Sequence, residues 1–264
     1  MLFEKVRQRR NGQPPYGPVF YQNQLEGALR SAKVVVPLLI TMIKPRSIVD
    51  VGCGLGAWLR VFREQGIERT VGLDGSYIDP VSLEIPSECF IPVDLAKPFQ
   101  ITEKFDLALC LEVAEHLPKS SADGFICALV KLAPVIVFSA GIPLQGGTHH
   151  TNEQWPEYWE ERFRHHNYQM LDLIRGLVWK NSQVAWWYRQ NMFIYVSEDV
   201  ISNNPAFRDA MERTNDLMLI HQSVLERHVA LRAILKTLPT RILGATYRRI
   251  ERVLGSVLST THLP

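Results

Sequence analysis

The sequence predicts an α/β fold in which helices cover both faces of a doubly wound, mostly parallel β-sheet. Short, continuously apolar runs alternate with helix-sized segments, which is typical of strands buried on both sides of a parallel sheet. A glycine-rich turn also joins the first apolar run to the helix that follows it. The predicted strands are SIVDV at 47–51, TVGLD at 70–74, CFIPV at 89–93, FDLALCL at 105–111 and VIVFS at 135–139.

Helical sequence precedes this core. An apolar face over residues 20–43 predicts a helix with a kink at Pro37, so that residues 1–44 form an N-terminal helical cap. The core domain is predicted to extend over 45–198 and to end with a strand at 191–197.

Residues 199–264 have the pattern of a C-terminal helical extension. Apolar residues recur in it at seven-residue intervals, which is typical of a helix that packs along another helix. These residues are Leu217, Val224, Leu231 and Leu238. Basic residues accompany them, so we consider three outcomes: a homo-oligomer formed through these helices, an intramolecular contact with a solvated charged face, or peripheral contact with an anionic membrane.

The composition is that of an ordinary globular protein. Among 264 residues, 46% are hydrophobic and the formal net charge is +2, which supports a sizeable core and argues against a chain that coats nucleic acid. The four cysteines form no CxxC pair, so we expect a reduced, cytoplasmic protein. We expect no signal peptide and no transmembrane segment, because the apolar run at 34–43 is shorter than the roughly 20 residues that span a bilayer.

The segment VDVGCGLGA places Gly52, Gly54 and Gly56 directly after the first strand and before a helix. Glycine lets the backbone turn sharply and approach a ligand at the helix N-terminus. With Ala57 completing the spacing, the turn suits either a dinucleotide such as NAD or S-adenosylmethionine (SAM).

Three acidic residues separate these two cofactors. Asp50 lies inside the first strand, where its charge would repel a pyrophosphate but suits the ammonium group of SAM. Asp74 ends the second strand, as expected for a carboxylate that binds the ribose hydroxyls of either cofactor. Asp94 follows the third strand, where it can bind the adenine amino group, and NAD binding does not require it. Together they favour SAM.

The ordered motifs resemble those of class I SAM-dependent methyltransferases. The resemblance rests on DVGCGLG, Asp74, Asp94 and LEVAEHL, and the run GGTHHTNEQWPEYW resembles a bacterial subgroup of methyltransferase-domain proteins. It implies a Rossmann-like core, an enzyme, and a SAM site formed by the glycine turn, the aspartates and the backbone at the end of the fourth strand. The predicted cofactor-binding residues are Asp50, Gly52, Gly54, Gly56, Asp74, Gly75, Asp94, Leu95 and Leu111.

A metal site is predicted where the fourth strand ends. Glu112, Glu115 and His116 are spaced i, i+3 and i+4, so on a helix they would share one face. Clustered carboxylates repel one another unless a cation stands between them. His150, with His149 as the alternative, would supply a fourth ligand for Mg²⁺, Mn²⁺, Fe²⁺ or Zn²⁺. Without a metal, His116 or His149 would act as the base or contact the substrate.

The ExxEH pattern with a downstream histidine resembles that of metal-dependent O-methyltransferases, namely small-RNA 3′-end 2′-O-methyltransferases and ubiquinone-pathway enzymes. We therefore expect transfer to a hydroxyl of a small polar acceptor, such as a sugar, a glycan or a secondary metabolite. Residues 152–159 offer amides and aromatic rings for an acceptor pocket, although the helical spacing of these rings favours core packing for most of them. The run Trp186 to Tyr188 alternates into the last strand and is predicted to be structural.

Other functions stay open. The first alternative is a metal-independent O- or N-methyltransferase with a histidine base, and the second is an RNA 2′-O-methyltransferase. The nearly balanced charge and the lack of an added basic module argue against a nucleic-acid partner. An NAD-dependent oxidoreductase and a non-catalytic SAM-binding scaffold are further alternatives, against which the three aspartates and the complete set of ligand positions argue.

Overall fold

Seven strands form one mixed sheet within residues 18–211, the part of the chain that the computed structural model describes, with side chains described from residue 24. They are β1 (Ser47–Val51), β2 (Arg69–Asp74), β3 (Phe90–Pro92), β4 (Leu107–Leu111), β5 (Val135–Ser139), β6 (Tyr168–Leu171) and β7 (Phe193–Ser197). Their order across the sheet is β3-β2-β1-β4-β5-β7-β6. Strands β1 to β5 pair in parallel, and β7 lies antiparallel between β5 and β6. The predicted Rossmann-like α/β fold is confirmed.

Helices connect the strands and cover both faces of the sheet. Those of the described residues are α1 (Pro18–Ile43), α2 (Ala57–Glu64), α3 (Ala122–Leu129), α4 (Pro156–Arg164), α5 (Arg175–Val178), α6 (Trp186–Asn191), α7 (Glu198–Asn203) and α8 (Pro205–Met211). Helix α1 corresponds to the predicted N-terminal cap and contains Pro37. The 3₁₀ turn Ala114–His116 follows β4 and belongs to the candidate site.

Successive residues of each central strand contribute to two separate apolar layers. On one face, Ile48 of β1 belongs to the same buried cluster as Leu39 of α1 and Phe62 of α2. On the other face, the ring of Phe138 in β5 lies 5.4 Å from the ring of Phe163 in α4, measured between centroids. Because helices cover both faces, β1, β4 and β5 are buried at every position. This burial explains their continuously apolar sequences.

Two elements differ from what the sequence predicts. No strand is expected at β6, whose four residues are too few to show a clear alternation and which pairs only with β7. The run Trp186 to Tyr188 forms helix α6, so the predicted alternation into a strand is wrong, whereas the predicted structural role agrees with the burial of Tyr188. In the helix, Tyr188 is buried with its ring edge-to-face against Trp58 of α2, at a centroid distance of 5.2 Å. Tertiary packing thus overrides the local pattern.

The C-terminal extension lies largely beyond the described residues, which end with α8 at Met211. The predicted repeat from Leu217 to Leu238 falls outside them. A homo-oligomer formed through these helices and contact with a membrane surface therefore stay predictions. Within residues 18–211, no helix is long and apolar enough to cross a membrane.

A buried arginine, Arg175 of α5, joins three elements. Its side chain is 1% exposed and forms an ion pair with Asp172, with 2.9 Å between Nη2 and Oδ2. Its Nη1 donates a hydrogen bond to the carbonyl oxygen of Gln190 in α6, at 3.2 Å. The guanidinium also lies 4.4 Å from the ring centroid of Phe193 in β7. Removing one partner of such a buried pair leaves the other charge without compensation.

We predict that Arg175→Ala lowers the free energy of unfolding by about 3–5 kcal/mol. Asp172 loses its counter-ion, and the guanidinium no longer packs between α5 and β7. Urea denaturation followed by circular dichroism measures this change. The matched control is Arg69→Ala, which breaks an exposed ion pair with Glu103 and should cost no more than about 1 kcal/mol. Equal destabilisation by the two changes would contradict the prediction.

Candidate active site

The glycine turn leads from β1 into α2. Gly52, Gly54 and Gly56 have positive φ angles of 83°, 54° and 85°, a region that other residues rarely adopt. A Cβ atom on Gly52 would lie 2.3 Å from a side-chain carbon of Val113, the second residue after β4. The turn therefore requires glycine at Gly52 both for its conformation and for its close approach to the β4 end.

Asp74, at the end of β2, holds the glycine turn against the sheet. Its Oδ2 accepts a hydrogen bond from the amide of Gly54 at 2.7 Å. Its Oδ1 accepts from the amide of Gly75 and from the hydroxyl of Tyr77, both at 2.6 Å. The carboxylate thus stands at the edge of the turn, where the sequence predicts the ribose of SAM. Tyr77, which the sequence analysis did not identify, is a further partner of this group.

Asp50 of β1 is buried beneath the turn with only 2% of its surface exposed. Its Oδ2 has no hydrogen-bond partner in the described part of the chain. Burial, followed by the charge of Asp74, raises the pKa of Asp50 to about 8. A cationic group beside it would favour the ionised form. The carboxyl therefore fits a ligand that carries an ammonium group, as SAM does.

The remaining predicted cofactor contacts lie along the same edge of the sheet. Asp94 follows β3 and is exposed, and its carboxylate pairs with Lys97 at 2.8 Å. The next residue, Leu95, is 9% exposed. Leu111 is the last residue of β4 and is 7% exposed. Adenine binding by Asp94 stays a prediction, because its carboxylate faces a lysine in this structure.

Glu112 does not lie on a helix with Glu115, as the i, i+3 spacing had predicted. It has a φ angle of 56° and precedes the 3₁₀ turn. Its Oε2 accepts from Nε2 of Gln145 at 2.8 Å, and its Oε1 accepts from Nδ2 of Asn191 at 3.1 Å. We call Glu112, Gln145 and Asn191 the amide triad. Neither amide was identified from the sequence, because they lie far apart in it and belong to no motif.

Three of the four predicted metal ligands do meet. One ligand atom from each of Glu115, His116 and His150 lies within 4.8 Å of the others, and we call this group the Glu115 cluster. The rings of the two histidines are edge-to-face at a centroid distance of 4.7 Å. Glu112 is not part of the group. Of the two histidines proposed as the downstream ligand, His150 belongs to it, whereas His149 is exposed and has a φ angle of 62°.

The loop after β5 carries His150 to the cluster. The amides of Thr151 and Asn152 both donate to the backbone carbonyl of Glu115 at 2.9 Å. Nδ1 of His150 lies 2.9 Å from Oε1 of Glu153. A Cβ atom on Gly147 would lie 2.1 Å from Nε2 of His150, so glycine leaves the space that the ring occupies. Backbone contacts thus fix the distance between His150 and the 3₁₀ turn.

Burial dominates the electrostatics of the cluster. Glu115 is 0% exposed and neither carboxylate oxygen has a hydrogen-bond partner within the described residues. Burial and then the charge of Glu112 raise the pKa of Glu115 well above its usual value. Burial, followed by the nearby His150, lowers the pKa of His116 to about 4. His116 is therefore neutral at physiological pH, which is the form that binds metals.

The residues proposed for an acceptor pocket divide between core and surface. Trp159 is 2% exposed and packs against Phe138, so it belongs to the core. Trp155 is 37% exposed. Asn152 is buried, and its Oδ1 accepts from Nε2 of Gln154 at 2.9 Å. Asn152 and Gln154 follow His150 in the same loop, and Trp155 carries the exposed ring of this set.

Residues 21–181 match the sequence family described as methyltransferase domain. The match includes the glycine turn, Asp74 and all three residues of the Glu115 cluster. It extends over more than half of the chain. The chain belongs to this methyltransferase-domain family. Its core is accordingly a SAM-dependent methyltransferase domain and not the NAD-binding domain of an oxidoreductase.

Relatives of this methyltransferase domain include the chloroplast magnesium protoporphyrin IX methyltransferase of Arabidopsis thaliana, which is 26% identical over 130 residues. That match covers 45% of this chain and 42% of the relative, so the chain spans less than half of that protein.

Two solved structures are similar to the domain. The magnesium protoporphyrin IX methyltransferase of Synechocystis, with bound S-adenosylhomocysteine (SAH), has a TM-score of 0.50 and 18% identity over 74% of this chain and 94% of its own. DesVI of Streptomyces venezuelae has a TM-score of 0.50 and 14% identity over 68% of this chain and 95% of its own. At these identities the similarity shows a shared fold.

We predict that Asp74→Ala weakens SAH binding by about 1.5–3 kcal/mol, because the ribose loses charge-assisted hydrogen bonds. Isothermal titration calorimetry measures the affinity. The control is Asp79→Ala, which removes an exposed carboxylate in the same segment that caps a 3₁₀ turn. Unchanged SAH affinity in Asp74→Ala would show that this residue is misplaced in the cofactor site.

We also predict that Asp50→Asn stabilises the cofactor-free domain, and more so at pH 8 than at pH 5. The folded state holds the Asp50 proton up to a pKa of about 8, compared with an ordinary value of 3.8. Between these values the folded state binds more protons than the unfolded state, so stability falls as pH rises. Asparagine removes this dependence. Urea denaturation at the two pH values measures the difference.

Asp79→Asn is the matched control for this prediction, because it makes the same change at an exposed position. A stability gain for Asp50→Asn that is equal at pH 5 and pH 8 would mean that titration of Asp50 does not cause it. We expect the same variant to bind SAH more weakly, since it loses the negative charge that suits the ligand ammonium.

Proposed function

We propose that the chain transfers the methyl group of SAM to a hydroxyl oxygen of a small polar acceptor, such as a sugar or a secondary metabolite, at a metal-assisted site. When bound, SAM would supply an electrophilic methyl group, and a divalent cation would lower the pKa of the acceptor hydroxyl. Glu115, His116 and His150 would hold the cation. The observation that carries this proposal is the buried Glu115 carboxyl, whose oxygens have no partner among the described residues.

A buried carboxylate without a counter-charge is costly, and the charge of Glu112 adds to that cost. A cation between Glu115 and the two imidazoles would remove this cost. Mixed oxygen and nitrogen ligands suit Mg²⁺, Mn²⁺, Fe²⁺ or Zn²⁺.

The surroundings of His150 also support a ligand role. Metal-binding histidines usually donate their second ring N–H to a carboxylate or carbonyl, which fixes the tautomer. Oε1 of Glu153 lies in that position beside Nδ1 of His150. The Glu153 carboxylate is itself held by the amides of Leu144 and Gly146, at 3.0 and 2.8 Å. This arrangement leaves Nε2 of His150 as the atom for a cation.

A metal-independent mechanism with a histidine base is the second candidate. His116 is poorly suited to it, because a base with a pKa of about 4 has little affinity for a proton at neutral pH. His149 would then be the base, on an exposed position of the same loop. The two candidates therefore differ in which histidine is essential.

We predict that Mn²⁺ binds to the EDTA-stripped protein at a single site and that Glu115→Gln and His150→Ala each abolish this binding. The physical reason is that each change removes one of the three ligands, of which Glu115 is buried and the two histidines are half-buried. Calorimetric titration with Mn²⁺ measures it, and SAH affinity should stay within about twofold in both variants. SAH release from SAM in a metabolite extract should require the cation.

His165→Ala is the matched control, since it removes an exposed histidine at the end of α4. It should change neither Mn²⁺ binding nor SAH release. Full SAH release in EDTA, together with no bound metal in elemental analysis, would overturn the metal-assisted mechanism and leave His149 as the base.

A further inference from the structure

The amide triad is a closed ring of hydrogen bonds built from three distant segments. Glu112 follows β4, Gln145 lies in the loop after β5, and Asn191 ends α6 just before β7. Besides the two bonds to Glu112, Nδ2 of Asn191 donates to Oε1 of Gln145 at 2.8 Å. Both N–H groups of Asn191 are therefore used inside the ring.

One acceptor of the ring is left over. Asn191 is 3% exposed, and its Oδ1 has no hydrogen-bond partner in the described part of the chain. Its orientation is not open to a flip, because Nδ2 faces two oxygens and must be the donor. Buried acceptors in folded proteins are almost always paired. The free Oδ1 is thus a position for a hydrogen-bond donor from a ligand.

The triad lies at the edge of the sheet where the parallel strands β4 and β5 end. Strands β1 and β4 are neighbours, and β2 continues the sheet in the other direction. Ligands of such sheets bind outside the carboxyl ends of the strands where this reversal occurs. A cofactor with its ribose at Asp74 on β2 would extend over the glycine turn of β1 toward β4. Glu112 is the first residue beyond β4, so under the proposed function the triad would face the methyl end of that cofactor.

We propose that the amide triad binds the hydrogen-bond donor group of the methyl acceptor that faces the transferring methyl. Oδ1 of Asn191 accepts a hydrogen bond from this hydroxyl or amine, and the Glu112 carboxylate supplies negative charge beside it. This inference rests on the proposed function, because it takes SAM as the methyl source. It also assigns Glu112 to acceptor recognition instead of metal binding.

A pair of cofactor analogues tests the triad without knowledge of the acceptor. Sinefungin carries an ammonium-bearing carbon in place of the methylsulfonium centre, whereas SAH has no group at the methyl position. An ammonium there would donate to Asn191 and face Glu112. In EDTA, so that no bound cation contributes, calorimetry of the full chain should show sinefungin binding about tenfold more tightly than SAH.

The ratio of the two affinities is then measured in Asn191→Ala and in Glu112→Gln, which is close to the natural side chain in size. Each change should reduce the preference for sinefungin by about five- to tenfold. The ratio is taken within each protein, so a general loosening of the cofactor site cancels, and thermal melts identify any variant that does not fold. The control is Gln169→Ala, which breaks another glutamine–glutamate hydrogen bond, with Glu198, on the far edge of the sheet. It should leave the ratio unchanged.

Two outcomes overturn the inference alone: equal binding of SAH and sinefungin by the natural chain, or an unchanged preference in both triad variants. If Asn191→Ala fails to fold, the preference in Glu112→Gln decides, and an unreduced value is contrary to the proposal. Failure of the natural chain to bind either nucleoside would instead refute SAM as the cofactor and remove the basis of this inference with it.

Discussion

Burial of carboxyl groups at the ligand-binding edge of the sheet, with their mutual repulsion as the second contribution, is the constraint on which this site depends. Asp50, Asp74 and Glu112 lie in or directly after the three neighbouring strands β1, β2 and β4, and Glu115 lies in the 3₁₀ turn that follows β4. The topology brings the carboxyl ends of parallel strands together, so these carboxyl groups lie near one another and their negative charges repel. The fold accommodates two of them with hydrogen bonds: Asp74 with backbone amides and Glu112 with side-chain amides.

The other two carboxyls are left for ligands. Burial raises the pKa values of both Asp50 and Glu115, so each is a site where a positive group would stabilise the protein. Asp50 lies under the glycine turn, and Glu115 lies in the turn after β4. An ammonium group beside Asp50 and a metal ion beside Glu115 would each relieve one of them. Without a positive group at these two positions, the domain is therefore less stable than it would be with one bound.

The features that can be predicted from the sequence are those that depend on burial of a whole strand or on residues that are close together in the chain. Strands β1, β4 and β5 are covered on both faces, and their continuous apolar runs record that directly. Glu115 and His116 are adjacent in the chain, so their proximity needs no knowledge of the fold. Glu112 is different, because a φ angle of 56° turns it away from any helical face. No pattern in the sequence predicts this φ angle.

Contacts that depend on topology could not be predicted. Gln145 and Asn191 are 46 residues apart and meet only because β7 inserts beside β5. Strand β6 likewise exists only as a partner of β7. Amides carry no charge and match no motif in this chain, so their role became visible only through their hydrogen bonds to Glu112. The amide triad, to which we assign acceptor recognition, is thus the part of the site that the sequence describes least.

The loop between β5 and α4 connects the two halves of the site. It supplies Gln145 to the amide triad and His150 to the Glu115 cluster, and its amides at Thr151 and Asn152 are bonded to the Glu115 carbonyl. A ligand at either position changes the free energy of this one loop conformation. Linkage then requires the effect to be reciprocal: a cation that orders the loop favours acceptor binding by the same factor by which the acceptor favours the cation. Because the proposed cation position and the proposed acceptor position share this loop, the two proposals together imply that cation binding and acceptor binding are coupled.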